Sequence, residues 1–199
     1  MLNPGIKQIT VADFDFIDES LYKHFPGPNV GIDGIYNCLL RKTLNDVKRP
    51  VLAFSIKPRF GMDVKDLCKL YTSAAKSGID IIEEDERLVD PKGCSFIDRV
   101  KAISKIQKDF STIYSVNVTG DSKTALEKLE FCAEKGIRMV KVDVLVCGFE
   151  TLRKVATKIR DDYCSSIAIT VYPDAYRAFR KLSRNFILKL SRLCGADII

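Results

Sequence analysis

The chain has 199 residues with a formal charge of +6, of which 46% are hydrophobic and 29% charged, a balance that suits a globular protein with a core of ordinary size. No apolar run reaches spanning length and no charged start with an apolar core precedes a cleavage site, so a cytoplasmic protein without membrane contact is expected. Lysines and arginines are spread along the chain, and the densest basic stretch, Arg177 to Arg192, alternates with apolar residues as an amphipathic helix does, so nucleic acid is not an expected partner.

The seven cysteines (38, 68, 94, 132, 147, 164, 194) are odd in number and never reach CxxC spacing, which points to reduced thiols packed as small hydrophobes. Residues 24–34, HFPGPNVGIDG, are rich in Pro, Gly and Asn and read as loop and connector. His24, the only histidine, falls there and reads as a surface residue.

From residue 51 a rhythm begins. VLAFSI (51–56) is a buried-strand pattern, and DVKDLCKLYTSAAKSG (63–78) has helical spacing that ends at Gly78. IDII (79–82) and the helical stretch 95–109 form the next pair, followed by TIYSVNV (112–118) with 122–136, then MVKVDVLV (139–146) with 149–163. IAITVY (167–172) precedes helical residues from about 175 to 194, and ADII (196–199) starts another strand. Strands alternating with helices in this way predict parallel βα units.

No GxGxxG follows the first strand, which argues against a dinucleotide-binding sheet. Polar residues gather instead just after strand ends, where a (β/α) barrel carries its chemistry. A closed barrel takes about 250 residues, so an α/β fold of incomplete TIM-barrel type, with five to six βα units, is expected.

Four consecutive acids, Glu83, Glu84, Asp85 and Glu86, follow the second strand. Residues two apart on a strand share a face, so Glu83 and Asp85 project together, Glu84 points away, and Glu86 lies where the strand passes into loop. Convergent carboxylates of this kind suit Mg2+, which takes hard oxygen ligands. The competing reading is a solvated acidic loop, since Arg87 follows at once. Lys57 and Arg59, in IKPRFG, also share a face: the lysine as a base, the arginine as a grip for a phosphate or enolate oxygen, or both as side chains reaching to solvent. Asn117 and Asp143 are polar residues in strands otherwise built for burial and need partners. Lys141 shares the face of Asp143, so Asp143 and Asn117 belong either to a functional inward-facing network or, for Asp143, to a structural pair with Lys141.

The stretches FPGPNVGIDGI, RPVLAFSIKPRFGM, SGIDIIEEDERLVDP, YSVNVTG, KGIRMVKVDVLVCGF and LSRLCGADII, in this order, resemble the large chain of ribulose-bisphosphate carboxylase (RuBisCO) and its RuBisCO-like relatives over residues 15 to 199. The resemblance implies a (β/α)8 barrel of the RuBisCO C-terminal type, present in part over 35–199, with residues 1–34 as a connector remnant of the N-terminal domain. It implies Mg2+ held by Asp85 and Glu86. Where the family has a lysine that is carbamylated to give the remaining ligand, this chain has Glu83, either a permanent stand-in for the carbamate or the mark of a site no longer under catalytic demand.

Lys57 matches the family's proton-transfer lysine, while Arg59 and Asn117 fall on substrate-binding positions. In TVYPD (170–174), Thr170 and Tyr172 stand where the carboxylase has histidines and Pro173 stands where it has an arginine, a departure that argues against carboxylation. The resemblance therefore implies a RuBisCO-like enolase or isomerase acting on a phosphorylated ketose or thio-sugar, working as a homodimer. The alternatives are a catalytically inactive or regulatory remnant and, more weakly, a basic module for acidic partners.

Overall fold

The structure is a computed structural model that describes residues 10–40, 49–57, 61–174 and 181–199. Its centre is a parallel sheet of five strands: β1 (Ala53–Ser55), β2 (Ile81–Glu83), β3 (Ile113–Asn117), β4 (Met139–Val142) and β5 (Ala168–Val171). Each strand lies beside its neighbour in sequence, in the order β1-β2-β3-β4-β5. That unreversed order belongs to a barrel wall, whereas a doubly wound sheet reverses at a switch point. The last residues continue the wall: Ile198 forms a parallel bridge with Thr170, and the Val171 N–H donates to the Ile198 carbonyl at 2.8 Å.

The connecting helices follow from their caps and apolar stripes. α1 (Gly31–Gly34) runs into a π-turn over Ile35–Leu39 and precedes the sheet. α2 (Val64–Lys76), α3 (Phe96–Ile106) and α4 (Ser122–Glu134) each start on a side-chain oxygen that accepts a backbone N–H, from Asp63, Ser95 and Asp121 respectively. α5 (Val144–Cys147) and α6 (Phe149–Tyr163) follow β4, and α7 (Arg184–Leu193), capped by Ser183, follows β5.

Two expected elements depart from their sequence patterns by more than a few residues. The strand expected over 139–146 ends at Val142, because Asp143 caps α5 by accepting the Leu145 N–H. The helix expected from about 175 begins at Arg184, since Leu182 pairs with Val11 in an extended bridge; residues 175–180 lie outside the described ones.

The strands' alternation sorts their side chains into two environments. Outward residues such as Ile82, Tyr114, Val116, Val140, Ile169 and Val171 pack against Leu67, Val100, Leu129, Val155 and Ile159 of the helices. Inward residues at the amino ends of the strands, Ile81, Ile113, Met139 and Ala168, form a smaller apolar layer with Ile35 and Leu40. Further along the same inward face the residues turn polar: Glu83, Ser115, Lys141 and Thr170. The barrel floor is thus oily and its mouth charged. The free cysteines agree with small-hydrophobe packing at Cys94, Cys132 and Cys194, all buried, while Cys164 is exposed. No helix among the described residues is long and apolar enough to cross a membrane.

The connector is fastened by Asp197, which is 4% exposed and accepts the N–H groups of Val30 (2.8 Å), Gly31 (2.9 Å) and Ile169 (2.8 Å). Burial pushes its carboxyl up, against the pull of these donors. Just before it, Gly195 has φ +122, and a Cβ there would meet the Ala156 Cβ at 2.2 Å, so the chain's approach to α6 requires glycine. Asp197→Ala orphans three backbone donors and is expected to lower unfolding free energy by roughly 2–4 kcal/mol in urea titrations, whereas Asp197→Asn keeps part of that loss back.

Candidate active site at the carboxyl ends of the strands

The loop after β2 is shaped by an ion pair on the helix side of the sheet. Glu84 points outward, as its parity on the strand dictates, and meets Arg99 of α3; both side chains are fully buried. Arg99 Nε donates to Glu84 Oε1 at 2.8 Å, and its other nitrogens donate to the carbonyls of Cys94 (3.1 Å), Leu88 (3.0 Å) and Val89 (2.9 Å). Tyr114 Oη donates to Glu84 Oε1 at 2.9 Å and the Asn117 N–H to Oε2 at 2.9 Å. Burial and the adjoining carboxylate push the Tyr114 phenol well up, so it stays a donor. Every oxygen of Glu84 is therefore occupied, which is what a buried carboxylate requires.

Asn117 completes the clamp. Its side-chain amide donates to the carbonyls of Asp85 (3.3 Å), Glu86 (2.8 Å) and Leu88 (3.2 Å), and its Oδ1 accepts the Thr119 N–H at 3.1 Å. In this arrangement Asn117 holds the loop that carries Asp85 and Glu86.

The other three acids of the run face the mouth. Asp85 is fully buried and contacts Lys57 Nζ, while its Oδ1 accepts the Arg87 N–H at 2.9 Å. Glu83, inward on β2, accepts from Lys141 Nζ at 2.9 Å, and Glu86 Oε2 lies 4.0 Å from the same nitrogen. Lys141 Nζ also donates to the Glu84 carbonyl at 3.1 Å and sits 5.1 Å from the centre of the Tyr172 ring. Arg87 bridges the β2 and β5 loops through Asp174, with Nε 2.7 Å from Oδ2. Lys57 and the acids expected as ligands, Glu83, Asp85 and Glu86, thus lie at one mouth, with Asn117 bonded to the loop that carries Asp85 and Glu86; Arg59 lies outside the described residues.

The expected Lys141–Asp143 pairing does not form. Asp143 leaves the strand register to cap α5, and its own N–H donates to Thr119 Oγ1 at 2.8 Å, so Lys141 turns to Glu83. Burial, ahead of its backbone hydrogen bonds, pushes the Asp143 carboxyl from 3.8 up to about 6.

Among the described residues no group of three or more acid, histidine or cysteine side chains stands close enough to hold a metal ion. Two of the expected ligands are instead engaged by ammonium groups, Glu83 by Lys141 and Asp85 by Lys57. The donors nevertheless fit a hard cation in kind, because Glu83 Oε2, the Glu84 carbonyl and Glu86 Oε2 already form an oxygen cage around one, the Lys141 ammonium. Two buried hydroxyls on the inward face, Ser115 Oγ and Thr170 Oγ1, have no hydrogen-bond partner among the described residues.

A parallel (β/α) wall in sequential order, with an apolar floor and a mouth of carboxylates and lysines, defines part of an α/β barrel. The profile of the ribulose bisphosphate carboxylase large chain, catalytic domain, matches residues 37–199. A ribulose bisphosphate carboxylase-like protein of Archaeoglobus fulgidus is 34% identical over 96% of this chain and 44% of its own length. A 2,3-diketo-5-methylthiopentyl-1-phosphate enolase of Bacillus velezensis is 29% identical over 96% of this chain and 48% of its own. The dimeric archaeal Rubisco of Hyperthermus butylicus superposes with a TM-score of 0.78 at 26% identity, covering 92% of this chain and 43% of that one. The chain belongs to the RuBisCO large-chain family, among its RuBisCO-like members, and spans about half the length of the curated relatives it matches.

The sequence pattern left Arg99 unnoticed, although it falls on the stripe of Phe96, Val100 and Ile103 that α3 buries, a position where a charged residue needs a partner. Arg99→Met leaves Glu84 buried without its counter-ion and is expected to cost about 3–5 kcal/mol in urea unfolding, with Arg99→Met/Glu84→Gln recovering part of the loss. For Asp143, the folded state binds the proton more tightly than the unfolded chain, so its contribution to stability is full below the ordinary value of 3.8 and is lost as pH rises through about 6. Asp143→Asn keeps the cap and removes the titration, so the variant gains on the wild type as pH rises across that window in parallel urea titrations.

Proposed function

We propose that this chain is a RuBisCO-like enolase or isomerase that uses Mg2+ to enolise a phosphorylated ketose or thio-sugar, and that it works as a homodimer. The observation that carries the reading is the meeting of Lys57 with Asp85 at the strand mouth, beside Glu83 and Glu86. Asp85, Glu86 and Glu83 are the hard oxygen donors that would hold Mg2+, whose charge would stabilise an enolate oxygen.

The chain's own groups account for the rest. Lys57 is half exposed and reaches the open mouth; once its ammonium has left Asp85 and given its proton to solvent, the free amine takes the proton from the carbon next to the substrate ketone. Arg59 grips a phosphate or enolate oxygen. Asn117, expected as a substrate contact, acts instead by positioning, since its amide is bonded to the loop carbonyls of Asp85, Glu86 and Leu88. Carboxylation is not supported, because Thr170, Tyr172 and Pro173 replace the histidines and arginine of the resemblance. The phosphorylated substrate and the dimer rest on the enolase and the dimeric Rubisco among the relatives.

A catalytically inactive remnant is the second reading, favoured by the closed ion pairs that engage Glu83 and Asp85. The test is hydrogen exchange in D2O, followed by NMR at the carbon beside the ketone of 2,3-diketo-5-methylthiopentyl-1-phosphate and of ribulose bisphosphate. Exchange that needs Mg2+ and falls roughly 100-fold or more in Lys57→Met and Asp85→Asn is expected. Exchange no faster with the wild type than with either variant selects the remnant reading.

A further inference from the structure

We infer that Lys141 is the resident cation of the carboxylate cluster, and that a divalent metal enters the cluster only by displacing its ammonium. The inference rests on the enolase reading for which metal is physiological, but the exchange itself concerns only this chain's residues. Lys141 is 1% exposed, on the inward face of β4, and its ammonium engages oxygens of the acid run: 2.9 Å from Glu83 Oε2, 3.1 Å from the Glu84 carbonyl and 4.0 Å from Glu86 Oε2, two of these carboxylates being expected metal ligands. An ammonium and a divalent ion cannot share these oxygens, since like charges a few ångströms apart in a buried site repel strongly.

The chamber also offers the displaced ammonium somewhere to go. Thr170 is the register partner of Lys141 on β5, and Ser115 lies on the same inward face of β3 beside Met139. Their hydroxyls, buried at 4% and 0% exposure, are the ones without a partner among the described residues. Adjacent strands are about 4.8 Å apart, a span the four-carbon stem of lysine crosses by rotation. Lys141 thereby has two sets of oxygen acceptors, one shared with the metal and one not. The pairing of Glu83 with Lys141 also gives the glutamate a role independent of carbamate mimicry: it completes a neutral pair in the metal-free protein and becomes a ligand when the lysine leaves.

The experiment uses the full chain and Mn2+ as a spin probe, with free Mn2+ measured by electron paramagnetic resonance and Mg2+ as competitor. Lys141→Met is expected to bind Mn2+ roughly tenfold or more tighter than the wild type, and Lys141→Met/Glu83→Gln to lose most of that gain. Equal or weaker binding by a folded Lys141→Met variant overturns the inference. Should Lys141→Met unfold on its own, Mn2+ is expected to restore its thermal transition by binding the folded state, and failure to do so overturns the inference equally. Wild-type binding without a Lys141 effect leaves the Mg2+ enolase reading standing and removes this one. Binding by the variant but not by the wild type does the reverse, and binding by neither removes both.

Discussion

The geometry of the mouth depends on the Glu84–Arg99 pair, which lies on the opposite side of the sheet from the chemistry. Burying two charges carries a desolvation cost of several kcal/mol per ion that Coulomb attraction alone does not reliably offset. Here the cost is met by saturation: the carboxylate has donors from Arg99, Tyr114 and Asn117, and the guanidinium reaches the carbonyls of Cys94, Leu88 and Val89. Those carbonyls belong to the loop that carries the next acids. The pair therefore fixes the path of the chain from β2 to α3, and Asp85 and Glu86 ride on it.

On the inward side the charges are arranged differently. Lys57 and Lys141 come from β1 and β4, on either side of β2, so the acid run lies between two ammonium groups. The apolar floor of Ile81, Ile113, Met139 and Ala168 lies below, and the buried Lys141–Glu83 pair above it is the less screened of the two. Arg87 and Asp174 tie the β2 loop to the β5 loop at the rim. A site made this way sets its carboxylates against ammonium groups from the strands on both sides.

Much of this was legible in the chain. The parity of Glu83 and Glu84 on a short strand sets one toward the mouth and the other toward the helices, and the alternation of strand and helix patterns sets the wall. Lys57 and Asp85 were readable as polar residues of the strand mouth from their places just after strand ends. Lys141 was legible as sharing the face of Asp143, but of the two readings left open the structural pair does not form: the Asp143 side chain accepts the Leu145 N–H and starts α5 in place of another strand residue. Asn117 was legible as a buried polar residue, yet nothing local says that its amide spans three carbonyls of a loop some thirty residues earlier. Arg99 was hidden by the helical pattern around it, because periodicity reports that a face is buried and not what it meets.

By itself the sequence determined the local terms: the repeating units, their order, the apolar floor and the polarity of the strand ends. These follow from side-chain periodicity and from chain direction, which neighbours in sequence decide. Which carboxylate meets which cation was decided only by tertiary structure. Strand register and helix caps bring residues 57 and 85, 83 and 141, and 84 and 99 together, and a charge selects its partner by distance in space, over separations that local pattern does not encode.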